Sequence, residues 1–178
     1  MRVKGVNATT LDDVRSASGT SKSQLYHHFA DKEALVRDVI ALQSEFVIDR
    51  EQRQLQRLSS FGGLERWRTA LVQNNALDDG AYGCVLGSLA SELADQNDEA
   101  RFALAATFTA WEGLIAEGLR RMQQNGALSE TADPERLATG LLAALQGGYL
   151  LAQAAHSVMP MEIALDMALD QVRTYLTN

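Results

Sequence analysis

The chain has 178 residues, 46% of them hydrophobic and 22% charged, with a formal net charge of −7. That length gives one or two domains with a sizeable core, and no run of eighteen apolar residues indicates a membrane span. No charged, apolar and small-residue leader marks the chain for secretion, and a single cysteine can make neither an internal disulfide nor a zinc cluster, which fits a reducing cytoplasm.

The stretch 10–32, TLDDVRSASGTSKSQLYHHFADK, reads as two short helices joined by a tight turn, followed by the start of a third. Val14 and Ala17 give the first helix an apolar side. Gly19 sits where the turn needs positive φ, a conformation open to glycine without steric penalty. Ser21 opens the next helix with the capping-box spacing Ser-x-x-Gln to Gln24. Leu25 and Phe29, four apart, bury that helix and leave Lys22, Ser23, Gln24, Tyr26, His27 and His28 facing outward. A short, capped helix carrying amides, hydroxyls, aromatics and cations on its free face suits the major groove of DNA.

Asp31 can cap a helix from Lys32 to about Leu58, with Leu35, Val39, Leu42, Phe46 and Val47 along one side. Its second half, DREQRQLQR, is charged as a solvated helix connecting two domains would be. The stretch SSFGG breaks it and places a boundary near Ser59–Gly63. Grouping the second half of this helix with the C-terminal helices gives a DNA-binding domain at 1–45 and a ligand-binding and dimerisation domain at 46–178. A helix over Leu64–Leu77 carries Trp67, Leu71 and Val72, DDGAYG forms a loop, and Val85–Ala94 is a short helix. From about Asp98 to Asn125, Leu104, Phe108, Trp111, Ile115, Leu119 and Met122 repeat at helical spacing until Gly126. Asp133 as N-cap and Pro134 at the first helical position start another helix, to about His156. Pro160 opens the last, with Met161, Ala164, Leu165, Ala168, Leu169, Val172, Tyr175 and Leu176 as its apolar stripe. No strand-like alternation or repeat appears, so the fold class is all-α.

Charge is unevenly spread. Residues 1–37 hold six Lys/Arg against four Asp/Glu, or +2, whereas residues 58–178 hold seven against fifteen, or −8. An acidic body with a mildly basic tip belongs to a reader that presents one end to phosphate. Because the tip is only weakly basic, two copies are needed for firm binding.

The run Thr10, Asp13, Val14, Gly19, Ser21-Lys22, Leu25-Tyr26, His28-Phe29 and Lys32-Glu33-Ala34-Leu35 resembles the DNA-binding signature of the TetR/AcrR family of transcriptional regulators. The remainder matches by helix pattern, including Asp-Pro-Glu ahead of a Leu/Ala/Gly-rich helix. The resemblance implies an N-terminal three-helix unit that binds DNA, a larger helical domain that binds a ligand and dimerises, and release of DNA on ligand binding. Arg15 stands where the family usually has Ala, and Thr20 where it usually has Val. Family members also carry a further helix ahead of Gly5, of which Met1–Lys4 can supply at most the last turn. A helix that short has no independent stability. On this reading either the true start lies upstream or the product binds DNA weakly, the alternative function being a ligand-binding helical dimer that does not bind DNA.

Within the signature, Lys22 and Tyr26 suit phosphate oxygens, and Gln24 can pair bidentately with adenine. His28 and Lys32 grip phosphate. Thr10 opens the first helix, where free backbone N–H groups favour an anion. His27 lies where the family varies and can set sequence preference, and Ser21 and Ser23 complete the candidate face. His27 and His28 point about 100° apart on a helix and cannot readily share an ion, so no metal is expected, nor any cofactor. Effector candidates are Trp67, Phe108, Trp111, Gln146, Tyr149, Gln153 and His156, apolar and aromatic groups mixed with a few polar ones, suited to a flat or hydrophobic small molecule. Cys84 reads as a buried inert thiol. Gly140, Ala143, Ala144, Gly147, Gly148, Ala152, Ala154 and Ala155 permit close approach of the last two helices to a second copy in a four-helix bundle. A two-fold dimer would read a near-palindromic operator on double-stranded DNA. With no phosphate-binding glycine loop, HExxH or nucleophile elbow, an enzyme is not expected. The reading is a cytoplasmic, ligand-responsive DNA-binding regulator, by family default a repressor.

Overall fold

A computed structural model describes residues 5–77 and 83–177. The last helical turn expected of Met1–Lys4, and the loop at 78–83 except for Gly83, lie outside these. The described residues form eight helices: α1 Leu11–Ser18, α2 Lys22–His28, α3 Lys32–Leu55, α4 Phe61–Ala76, α5 Val85–Leu93, α6 Asp98–Gln124, α7 Pro134–Ala155 and α8 Met159–Arg173. Two compact units result, one made of residues 1–46 with 85–106, the other of 47–84 with 107–178.

The first unit is punctuated by local capping. Thr10 Oγ1 accepts from Asp13 N at 3.1 Å while Asp13 Oδ2 accepts from Thr10 N at 2.9 Å. Gly19, at φ 70°, ends α1. Ser21 Oγ and Gln24 form the same reciprocal box at the start of α2, and Asp31 Oδ1 accepts from Ala34 N at 2.7 Å at the start of α3. Each cap satisfies helix-end donors that would otherwise depend on water. Buried Val6, Leu25, Leu35, Val36, Ile40, Leu86, Leu89, Leu93, Ala100 and Leu104 supply this unit's apolar centre. α1 buries none of its side chains: Val14 is half-buried and Ala17 exposed, as an eight-residue helix rich in Asp and Ser has little to bury. Phe29 falls just past α2 as its extended C-cap and is half-buried, so Leu25 alone anchors that helix.

The face of α3 differs from the expected one. Its buried residues are Leu35, Val36, Ile40, Val47, Glu51 and Leu55, and Leu42 and Phe46 are 62% and 60% exposed. Val36, Ile40, Val47, Glu51 and Leu55 recur at intervals that keep them on one side of a 3.6-residue helix, whereas Leu42 and Phe46 point away from it. The charged second half is correspondingly not a solvated rod, because Glu51 is wholly buried.

In the second unit, Leu64, Trp67, Leu71, Trp111, Ile115, Leu119, Met122, Leu141, Leu145, Met161, Leu165 and Val172 form the core. Gly118 of α6 passes against Leu58; a Cβ there would stand 2.9 Å from Leu58 Cγ and 3.0 Å from its Cβ. Arg121 closes the end of α3, donating to Leu55 O at 2.7 Å and Leu58 O at 2.9 Å. α7 begins with Asp133 as N-cap and Pro134 in its first turn, and ends at His156 in the left-handed conformation, φ 48°. α7 packs along α8 so closely that a Cβ on Gly148 would lie 2.9 Å from Met161 Cα. Gly148 and Ala152 therefore belong to this internal seam and not to a free face. α4 is tied to α8 by Arg68, which donates to both Asp166 oxygens at 2.8 Å. By length and composition α7 can cross a membrane, but one face of it, with Ala138, Leu141, Leu145 and Tyr149, is buried in the core of this unit.

Candidate nucleic-acid interface and effector site

α2 turns one side chain inward, Leu25, and displays Lys22, Ser23, Gln24, Tyr26, His27 and His28. Lys22 Nζ lies 5.8 Å from the Tyr26 ring centroid, one turn along, so an ammonium and a phenol share one strip of the helix. The imidazoles of His27 and His28 meet edge to face at 5.5 Å, and His28 continues to Phe29 at 6.4 Å. Gln24 has a double duty that spacing alone does not reveal. Its Oε1 accepts from Ser21 N at 2.9 Å, so the cap engages the oxygen and leaves the amide N–H₂ facing out. Ser21 is likewise committed to the cap. Thr10 is exposed at the start of α1, its hydroxyl 2.8 Å from Asp13 Oδ2. Lys32 reaches back from the first turn of α3, its Nζ donating to Asn7 O at 3.1 Å. The nine candidates thus fall on the α1 start, on α2 and on the α3 start of one compact unit.

In the second unit the structure brings Trp67 and Tyr149 to two residues outside the sequence-based candidates, Arg50 and Glu51. Trp67 Nε1 donates to Glu51 Oε2 at 2.8 Å, and Arg50 donates to Glu51 Oε1 at 2.8 Å. Burial pulls the Arg50 guanidinium down, but the Glu51 carboxylate beside it, with further help from Tyr149, holds it above its ordinary value. Burial pushes the Tyr149 phenol well above its ordinary range, against the opposing pull of Arg50, with which it is hydrogen-bonded. Cys84 is half-buried and stands within electrostatic range of both. Gln153 lies against Gly83, its Oε1 2.8 Å from where a Cβ would be.

Trp111 is fully buried with its indole N–H unpartnered, and buried polar atoms of Gln146, Gln54 and Asn75 are unpartnered too. Phe108 is half-buried on α6, and His156 is exposed at the α7 cap, outside the Arg50–Tyr149 cluster. Arg50 and Glu51 escaped notice because they sit in a charge-rich run. The available signal was spacing: Val47 and Leu55 lie four residues either side of Glu51 and turn it inward.

Comparison with known proteins places these features in a family. Residues 1–39 match the profile of bacterial regulatory proteins of the tetR family, and residues 62–167 match the LmrA/YxaF-like C-terminal domain of transcriptional regulators. The chain is 26% identical to the HTH-type transcriptional repressor DhaR of Mycobacterium sp. (strain GP1), over 83% of this chain and 73% of that protein. It is 27% identical to the HTH-type transcriptional regulator YxaF of Bacillus subtilis (strain 168), over 84% and 77% respectively. A TetR regulatory protein from Rhodobacter sphaeroides shares the fold with a TM-score of 0.86 at 22% identity, covering 95% of this chain and 90% of that one. A cysteine mutant of CifR, solved with 26-base-pair operator DNA, does so with a TM-score of 0.79 at 23% identity, covering 95% and 89%. These relatives are transcriptional regulators and not enzymes. The chain belongs to the TetR family of transcriptional regulators, a DNA-binding helix-turn-helix unit joined to a helical C-terminal domain of the LmrA/YxaF-like kind.

Proposed function

We propose that this regulator is a cytoplasmic homodimeric repressor, released from a near-palindromic operator by a small hydrophobic or aromatic effector. The observation that carries the DNA half is α2, held by a capping box and a single inward leucine, with its entire remaining surface polar, aromatic or basic. Such a helix enters a major groove without losing buried contacts. Lys22, Tyr26, His28 and Lys32 meet phosphate, while the free amide of Gln24 and the ring of His27 face the base edges.

The dimer half rests on α7 and α8. Leu150, Leu151, Met159, Ile163 and Met167 are all more than half exposed. Along α7, Leu150 and Leu151 continue an exposed row that includes Gly140, Ala143, Gly147 and Ala154, and an added Cβ at Gly140 or Gly147 would meet nothing within 4 Å. Apolar side chains beside small ones form a surface that a second copy can cover at short interhelical distance.

For the effector, Trp67, Phe108, Trp111, Gln146, Tyr149 and Gln153 combine aromatic surface with buried polar atoms, the mixture that orients a small molecule. The deciding experiment is fluorescence anisotropy of the chain on DNA from its own promoter region at two salt concentrations. Saturable, salt-sensitive binding that exceeds binding to a scrambled duplex supports the reading. Absence of binding at low salt would leave a helical dimer acting through ligands alone.

A further inference from the structure

The turn preceding α1 is held by a residue far along the chain. Glu92, in the last turn of α5, accepts from Val6 N at 2.7 Å and from Asn7 N at 3.1 Å, both on Oε2. Gly5, at φ 76°, lets the chain lie directly on that carboxylate; a Cβ there would stand 2.7 Å from Glu92 Oε1 and 2.8 Å from Oε2. The turn is closed on itself as well. Thr9 Oγ1 donates to Gly5 O at 2.5 Å, Thr9 N donates to Val6 O at 3.2 Å, and Val6 and Thr9 are both buried. On the opposite side, Asn7 O accepts from Lys32 Nζ.

From this we infer that Glu92 is a positioning residue for operator recognition. It touches no DNA. Its carboxylate fixes the turn at 5–8, and that turn sets two parts of the candidate interface at once: Thr10, the cap of α1 three residues after Asn7, and Lys32, whose ammonium is aimed by the Asn7 carbonyl. Both lie in the same compact unit as α5. A carboxylate near a phosphate-facing surface works against nucleic-acid affinity through its charge. Charge-assisted hydrogen bonds to two backbone N–H groups, and a glycine that admits the carboxylate, point to geometry as what it contributes.

The inference rests on the DNA-binding reading above, and it separates charge from position. Glutamine at 92 removes the charge but keeps a carbonyl oxygen able to accept from both amides, whereas alanine removes both. If Glu92 acts only through charge, Glu92→Gln and Glu92→Ala will raise affinity for promoter and scrambled duplex alike. If it positions, Glu92→Ala will lower the promoter-to-scrambled preference by about tenfold and Glu92→Gln will restore it to within about threefold of the wild type. Hydrogen exchange at the Val6 and Asn7 amides, followed by NMR on the full chain, gives an independent readout. Exchange should accelerate in Glu92→Ala and stay slow in Glu92→Gln, with the melting temperature monitored to show that the protein remains folded. Gly5→Ala, which drives a methyl into the carboxylate, should match Glu92→Ala in both assays. A wild-type preference that Glu92→Ala leaves within twofold would overturn this inference alone. A wild type without any preference would overturn it together with the functional reading.

Discussion

Trp67 holds Glu51 in the core of the second unit: the indole N–H donates at 2.8 Å to one oxygen of a carboxylate that has no solvent exposure. The other oxygen takes Arg50. A buried carboxylate is tolerated only when its acceptor capacity is met, so this pairing lets a charge occupy the inward face of α3. Replacing Trp67 with Phe keeps most of the apolar surface and deletes the donor. The expected loss is about 1–3 kcal/mol of stability, read as a lower midpoint in urea denaturation at an unchanged slope. A midpoint equal to the wild type would show that the indole is there for its surface alone.

Two glycines of α6 should respond to alanine with opposite signs. At Gly118 the added methyl meets Leu58 near its Cβ and Cγ, atoms too close to the backbone to swing aside. Overpacking of this kind costs about 1–3 kcal/mol. At Gly113 nothing lies within 4 Å, and exchanging glycine for alanine inside a helix stabilises by up to about 1 kcal/mol. Thermal melts of the two single variants, compared with the wild type, give the two signs directly.

The alkaline stability limit follows from Tyr149. Its folded-state value is raised, mainly by burial, above the unfolded value near 10.0. A raised group binds its proton more tightly when folded, so no stability is lost below the unfolded value. Above it, unfolding releases a proton, and stability should fall by up to about 1.4 kcal/mol per pH unit for this one site. Tyr149→Phe should flatten the decline between pH 10 and 11 in denaturant titrations. An identical slope in the variant would assign the loss to other groups.

At the proposed DNA face, Lys22→Ala should weaken binding to promoter and scrambled duplex by similar factors and lower the salt slope by about one per chain. A change confined to the promoter duplex would instead make Lys22 a base reader.

Charge placed on the exposed apolar row should separate the proposed dimer. Leu151→Glu combined with Met167→Glu puts carboxylates where two copies would meet, and neither side chain is needed inside the fold, being 55% and 70% exposed. Sedimentation velocity should report a monomer whose helix content is unchanged, and operator affinity should drop by more than about tenfold as the second half-site is lost. A dimer that survives both substitutions places the interface elsewhere.

Much of this was legible in the residues. Thr10, Gly19, Ser21, Asp31, Gly126 and Asp133 act where their chemistry says they should, because caps and left-handed turns are local and depend on neighbours within a few positions. The core stripe of α6 was legible for a similar reason, being a strong period over about five turns from Leu104 to Met122, of which Phe108 alone is half-buried. The face of α3 was not. Leu42 and Phe46 have the composition of core residues, but the side of a helix that is buried depends on what packs against it, and Leu35, Val39, Leu42 and Phe46 read equally well as a stripe. Arg50 and Glu51 were hidden by the opposite effect, a charged run whose inward member is paid for by Trp67 sixteen residues later. Glu92 could not have been found at all, since nothing near it in sequence hints at Val6 and Asn7.

The caps also set an order of assembly. α1 and α2 are finished by residues within three positions of their first turns, whereas the last carbonyls of α3 wait for Arg121, 66 residues beyond Leu55. At a synthesis rate of about 5–20 residues per second, a nascent chain carries that helix end open for roughly 3 to 13 seconds after making it. During that interval the hydrophobic seam around Leu55, Leu58 and Trp67 has no α6 to cover it. Slowing translation between residues 58 and 121 should therefore increase the demand of this protein for chaperones, while slowing it after α6 should matter far less.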